Sequence, residues 1–228
     1  FIGGTTVNSL FGNYISQNFD SRKDVFYRLK NNPLICWRLI NWLFVNKFIN
    51  ITIEKSDACH TKGQTRCLIF DDTVLGKTGK FIEKASKVWD HVSGQYILGF
   101  KLLLMGYWDG VSFVPSDFSL HREQGKNKAR PFGLKKKDFK RQHKRQRDKS
   151  SPSYERAAEA DMDKISMAVK MFKRAISQGL MVDYVLMDSW FTCNALIDAV
   201  LKVKKQTVHL IGMYKIAKTK FSYGGQER

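Results

Sequence analysis

A chain of 228 residues is long enough for one large domain or a domain and a half, so size does not exclude an enzyme. Thirty-nine Lys and Arg against twenty-one Asp and Glu give a formal net charge of +18. That is more than solubility requires and predicts a polyanionic partner, nucleic acid first, with a ribosomal-type or chromatin-type binder lacking chemistry left open. The four cysteines, Cys36, Cys59, Cys67 and Cys193, show no CxxC pair and no dense framework for a chain of this length, so reduced intracellular thiols are the default expectation.

From Asp20 to about Ile49 the apolar residues recur at helical spacing, and Asn31, Asn32 and Pro33 divide the run into two helices. Residues 1–60 therefore read as a helical N-terminal region, either a DNA-holding helix-turn-helix or a hairpin packed on the main domain. Its most apolar stretch, Leu34 to Ile53, is interrupted by Arg38, Asn41, Asn46, Lys47 and Asn50 and is too polar to span a membrane. No signal peptide precedes it, so the expected location is the cytoplasm. Cys59, His60 and Cys67 lack a fourth ligand at zinc-finger spacing.

After Gly63 the pattern becomes that of strands, and residues 61–228 read as a second domain. Arg66 to Phe70 is a β-type run ending at Asp71 and Asp72; Tyr96 to Met105 and Ser112 to Phe118 follow, joined by a turn at Trp108, Asp109 and Gly110. A basic arm, 122–153, leads to a helix from about Tyr154 to Gln178, with Ile165, Ala168, Val169, Phe172 and Ile176 on one stripe and Gly179 as its stop. Tyr184 to Met187 is a strand ending at Asp188, Cys193 to Val203 a helix, and Thr207 to Met213 a last strand. The β-β-β-α-β-α-β order is that of an α/β, RNase H-like mixed sheet with flanking helices.

Two acids stand at the ends of apolar runs: Asp72 after the first strand and Asp188 after the fourth. Where those strands are neighbours the carboxylates share a site and repel unless a cation neutralises them, and magnesium, which takes oxygen ligands, fits. Two such ions about 3.5–4 Å apart activate the attacking oxygen and stabilise the departing one at phosphorus. The alternative is that both acids merely cap turns before Thr73 and Ser189.

The blocks Phe70-Asp-Asp-Thr-Val-Leu-Gly-Lys-Thr-Gly-Lys80, Val88-Trp-Asp-His91, Tyr96-Ile-Leu-Gly-Phe-Lys101, Asp117-Phe-Ser-Leu-His121 and Leu186-Met-Asp-Ser-Trp-Phe191 occur in that order. Together they resemble bacterial DDE transposases of the insertion-sequence-four-like family. The resemblance implies an RNase H-like fold, two Mg2+ ions with Mn2+ as a substitute, and cleavage at transposon DNA ends followed by strand transfer into target DNA. It also implies a dimer at work on the bacterial nucleoid. The family's first acid precedes a Thr, which places it on Asp72, and its second maps to Asp188. Its third, a Glu in a downstream block with spaced Tyr, Arg and Lys, has no match here, and Glu227 lacks that context. The chain thus reads as a fragment ending before that Glu and inactive by itself. A nuclease of the same fold without strand transfer, or a non-catalytic DNA-binding remnant, are the rival readings.

Leu75-Gly-Lys-Thr78 ends like a phosphate-binding P-loop, but Asp71 stands where the first Gly belongs. Lys77 and Lys80, close behind Asp72, are better read as holding a phosphodiester near the acids. From Arg122 to Lys149 thirteen basic residues face only Glu123, Asp138 and Asp148. Such a segment builds no core of its own and reads as a flexible or helical arm along DNA phosphates, with Lys135, Lys136, Lys137, Lys140, Arg141, Lys144, Arg145 and Arg147 as the contacts. Trp190, two residues past Asp188, is the one tryptophan expected to meet DNA, whereas His91 and His121 read as satisfied structural histidines.

Overall fold

The computed structural model of the chain describes residues 12, 16–18, 20, 22–58, 65–213, 222–223 and 226–227, with backbone alone for 53–58 and the last four. Cys59 and His60, set aside above as zinc ligands, lie outside the described residues, as does the Glu227 side chain. The described residues fall into two compact units, within 1–36 and 147–155 for the smaller and 37–146 and 156–228 for the larger.

In the smaller unit, helix α1 (Lys23–Asn31) stops where the Asn32 backbone turns extended and its side-chain oxygen accepts the Leu34 N–H at 3.0 Å. An amide followed by Pro33 ends a helix in this way because proline disfavours helical backbone in the residue before it. α1 buries none of its residues.

The larger unit is built on a mixed sheet of β1 (Cys67–Gly76), β2 (Ser86–Asp90), β3 (Gln95–Trp108), β4 (Phe113–His121), β5 (Tyr184–Met187) and β6 (His209–Gly212). The order is β2-β3-β1-β5-β6, with β4 also on β3. β3 is antiparallel to β1 along one side and to β2 and β4 in succession along the other, while β5 is parallel to both β1 and β6. Helix α2 (Trp37–Ala58) precedes the sheet; α3 (Lys136–Lys140), α4 (Pro152–Ala158), α5 (Lys164–Ser177) and α6 (Asn194–Leu201) follow β4 or β5. Two-residue strands β7 (Ser222–Tyr223) and β8 (Gln226–Glu227) pair with each other. This six-stranded mixed sheet with flanking helices is an RNase H-like fold.

Alternation decides which residues meet in the core. Leu68 and Phe70 of β1, Leu103, Met105 and Tyr107 of β3, and Val185 and Met187 of β5 are buried in one cluster. Against them α5 lays Met167, Ala168, Met171, Phe172 and Ala175, the i, i+1, i+4, i+5, i+8 stripe of a helix with one apolar face. Burying Phe172 alone contributes about 1.5–3 kcal/mol. Trp42, Val45 and Ile49 of α2 and Leu196, Ala199 and Val200 of α6 complete the cluster.

Four sequence expectations are corrected. β1 does not end at Asp72: Thr73, Val74 and Leu75 go on pairing with Leu102, Lys101 and Phe100, so Asp72 lies within the strand. β2 is an additional strand, held by the β3 extension Gln95–Gly99. The long helix from Tyr154 is broken, because Asp163 is extended (φ −70°, ψ 149°) and its carboxylate caps the Ser166 N–H at 2.8 Å, starting α5 afresh. Gly179, with φ +83°, does terminate α5. The basic segment has no core of its own, yet residues 122–146 are seated on the sheet unit: Leu134 and Gln142 are buried, Gln142 Nε2 donates to the Ala85 carbonyl at 2.6 Å, and the His143 N–H to that of Phe81 at 2.9 Å. No helix among the described residues is long and apolar enough to cross a membrane.

Candidate active site

Leu68, Phe70 and Asp72 share one face of β1, the face covered by α5, whereas Asp71 points away and is exposed. Asp72 is half-buried. Its Oδ2 accepts from Nζ of Lys164, the first residue of α5, at 2.8 Å, and lies 3.9 Å from Nζ of Lys101 on β3. Lys101 is only 5% exposed, an unusual depth for an ammonium, which needs a nearby carboxylate. Asp71 makes neither contact; its Oδ1 accepts the Asp72 N–H at 2.8 Å.

Asp188 is the first residue after β5. The parallel ladder pairs Phe70 with Met187, so its continuation sets Asp188 level with Asp71 and one step short of Asp72. The ladder itself ends at the pair Phe70 and Met187, and Asp188 begins the turn that follows β5. Asp188 Oδ1 accepts the N–H groups of Trp190 (3.0 Å) and Phe191 (3.3 Å), so the capping alternative describes one of its oxygens. Both bonds go to Oδ1, leaving Oδ2 outside the turn. It caps that turn and not α6, whose N-cap is Cys193.

Lys164 joins the two neighbourhoods. While bonded to Asp72, its Nζ lies 5.1 Å from the Trp190 ring centre and 5.9 Å from that of Phe191. Phe191 is buried and packs on Phe70, with ring centres 6.5 Å apart, which ties the loop after β5 to β1. Trp190 is 59% exposed, with its backbone N–H on Asp188 and its ring near the Lys164 ammonium.

The donor chemistry fits a hard divalent cation. Asp72 Oδ2 already attracts two ammonium groups, and Asp188 keeps an oxygen outside its turn; such an ion is held by one or two carboxylates with phosphate and water in the other positions. Among the described residues no group of three His, Cys, Asp or Glu side chains assembles, so a second ion finds no third carboxylate there.

The expected DNA-binding residues are placed as follows. The Lys77 N–H donates to the Leu98 carbonyl at 2.7 Å at the end of β1, five residues along from Asp72 and about 16 Å away by strand rise. Lys77 is therefore not beside the acids, because β1 outlasts its sequence prediction. Lys80 is exposed in the following turn, and the chain passes from there into β2 and not a helix, which removes the P-loop alternative. Lys135, Lys136, Lys137 and Lys140, on and just before α3, are exposed, as are Lys144 and Arg145; the exposed Arg141 lies over the Phe81 ring at 4.5 Å, and Arg147 belongs to the smaller unit.

Other polar groups are structural. Asp117 Oδ1 accepts Arg38 Nε (3.0 Å) and Oδ2 accepts Arg174 Nε (2.8 Å), while Glu159 accepts from Arg38 and Arg156. Burial works to lower the Arg38 pKa, but Asp117 and Glu159 outweigh it and raise the value. His121 is buried, with Nδ1 2.9 Å from the Met162 carbonyl and Nε2 2.6 Å from Ser119 Oγ, and burial holds its pKa below the usual value despite that carbonyl. His91 accepts from Trp89 Nε1 at 3.2 Å. The sequence reading missed Lys101 and Lys164; a lysine inside the apolar run Ile97–Met105 was the available signal for the first, and nothing local marks the second.

A family model described as DDE superfamily endonuclease matches residues 37–211, three-quarters of the chain, beginning at the first residue of α2. No curated protein and no solved structure matches.

Proposed function

This chain belongs to the DDE superfamily endonucleases, and from that premise we propose that it is the catalytic core of a DNA transposase of the insertion-sequence-four-like type, cleaving element ends and joining them to target DNA. What supports the reading is that Asp188 directly follows β5, the strand parallel to β1 next to Asp72, while Lys164 bonds Asp72 and lies 5.1 Å from the ring centre of Trp190. When bound, a pair of Mg2+ ions, or Mn2+ in their place, supplies Lewis-acid activation of the phosphodiester and of the oxygen that attacks it. Asp72 and Asp188 would each supply carboxylate oxygen to those ions. Buried Lys101 keeps one positive charge against Asp72, and Trp190 offers a flat exposed face to the nucleotide beside the scissile bond. Lys77, Lys80, Lys135, Lys136, Lys137, Lys140, Arg141, Lys144, Arg145 and Arg147 grip phosphates, giving affinity without sequence choice.

The test is nicking of supercoiled DNA in Mg2+ by the protein of the complete reading frame, beside Asp72→Asn and Asp188→Asn. Each substitution is expected to reduce nicking at least a hundredfold. Unchanged nicking in either rejects the assignment. Joining of a labelled 3′-hydroxyl end to plasmid distinguishes a transposase from a nuclease of the same fold, which cuts and never joins.

A further inference from the structure

Resting on that reading of Asp72, we propose that Lys164 is a displaceable counter-ion, which neutralises Asp72 in the cation-free protein and yields the same oxygen when a divalent cation binds. Lys164 Nζ lies 2.8 Å from Asp72 Oδ2, with side chains 20% and 16% exposed, so the pair is partly shielded from water. A cation entering at the usual 2.0–2.1 Å for Mg2+ meets an ammonium already on that atom, and two positive centres on one oxygen repel. One lysine has to withdraw.

Lys101 cannot. It is buried on a central strand, with Val74 beside it on β1 and His121 beside it on β4, and stands 3.9 Å from the carboxylate as a fixed charge. Lys164 can, since it is the first residue of its helix on a four-carbon stem, and the Trp190 ring lies 5.1 Å from its ammonium as the next resting place. A lysine parked on Trp190 stands beside the bound phosphodiester. Lys164 acts through Asp72 and is a positioning residue.

Displacing a partly shielded ion pair holds back cation binding about three- to tenfold. In Mn2+ titrations of the 228-residue chain followed by electron paramagnetic resonance of free Mn2+, Lys164→Met is expected to bind that much more tightly than the parent. Lys164→Arg should stay within about twofold, and Asp72→Asn should abolish the site in both the parent and Lys164→Met backgrounds. The cation-free Lys164→Met chain should melt lower than the parent and gain more on adding Mn2+, a response that loss of packing alone does not give. Lys164→Gln carries the same expectations should the Met variant fail to fold by circular dichroism. Binding that needs Asp72 and Asp188 but is blind to loss of the lysine overturns this proposal alone. No Mn2+ binding by the parent overturns both this proposal and the metal reading of the acids.

Discussion

Asp117→Asn separates an acid of the fold from an acid of the chemistry. The Asp117 side chain is 2% exposed and engages Arg38 through Oδ1 and Arg174 through Oδ2, with Arg174 Nη2 also 2.7 Å from Oδ2. The Phe118 N–H adds a further bond to Oδ1 at 2.8 Å. The amide keeps the volume and removes the charge. Arg38 retains Glu159 at 2.7 Å, but Asp117 is the only carboxylate paired with Arg174 among the described residues, and the Arg174 side chain as a whole is 28% exposed. Breaking a buried pair from one side costs about 3–5 kcal/mol, and the residual exposure of Arg174 places this case at the lower limit, about 3 kcal/mol. With a urea slope of about 2 kcal/mol/M, the unfolding midpoint should fall by about 1.5 M at pH 7. Adding Arg174→Met, which removes the orphaned charge, should recover part of the loss. A midpoint shift below about 0.3 M, or abolished Mg2+-dependent nicking at unchanged stability, would refute the structural role and move Asp117 into the reaction.

Two further outcomes follow from the same network and from the basic segment. Burial lowers the His121 pKa from the ordinary 6.5, so the unfolded chain binds the extra proton first as pH falls. The stability this contributes is present above about pH 6.5 and is lost as pH drops toward the folded value; urea midpoints at pH 7.5, 6.5 and 5.5 should show the loss in the parent and a flatter profile in His121→Gln. Equal slopes in the two chains would contradict it. Replacing Lys135, Lys136 and Lys137 with Ala should leave far-UV circular dichroism unchanged and reduce the slope of log K for DNA against log salt by about 0.9 for each phosphate that a lysine no longer neutralises. An unchanged slope would remove these three from the interface.

The strand order was legible because each strand but β2 carries a β-type apolar run, and Asp188 was placed at a strand end because Tyr184–Met187 runs into Asp-Ser-Trp, a turn in any context. The Asp-Asp pair misled for a physical reason. Asp disfavours strands locally, yet Leu103 and Leu104 of β3 stand opposite Asp72 and Asp71 and carry the ladder through. β2 was not read as a strand because Val88 and Trp89, its two β-favouring residues, stand between Lys87 and Asp90, which do not favour strands, and the β3 extension that pairs with them is needed to hold the strand. Lys101 and Lys164 owe their meaning to a partner 29 and 92 residues away, and no window along the chain contains both ends of either contact.

The mismatch between β1 and its neighbours also explains why chemistry fits at Asp72. β1 is paired with β3 from Cys67 to Gly76, but with β5 only from Cys67 to Phe70. From Asp71 onward β1 has a strand on one side and, among the described residues, none on the other. Asp188 stands where that missing partner would begin, and the chain turns there because its carboxylate collects the next backbone N–H groups. Asp188 thus follows the carboxyl end of a strand parallel to β1, the kind of position at which α/β sheets accept ligands. In a shorter β1, ending at Asp72 as its local propensity suggests, the acid would sit on a loop with no β3 ladder behind it. The residues from Thr73 to Gly76 carry the β1–β3 ladder past Asp72 and so fix that acid to a paired strand.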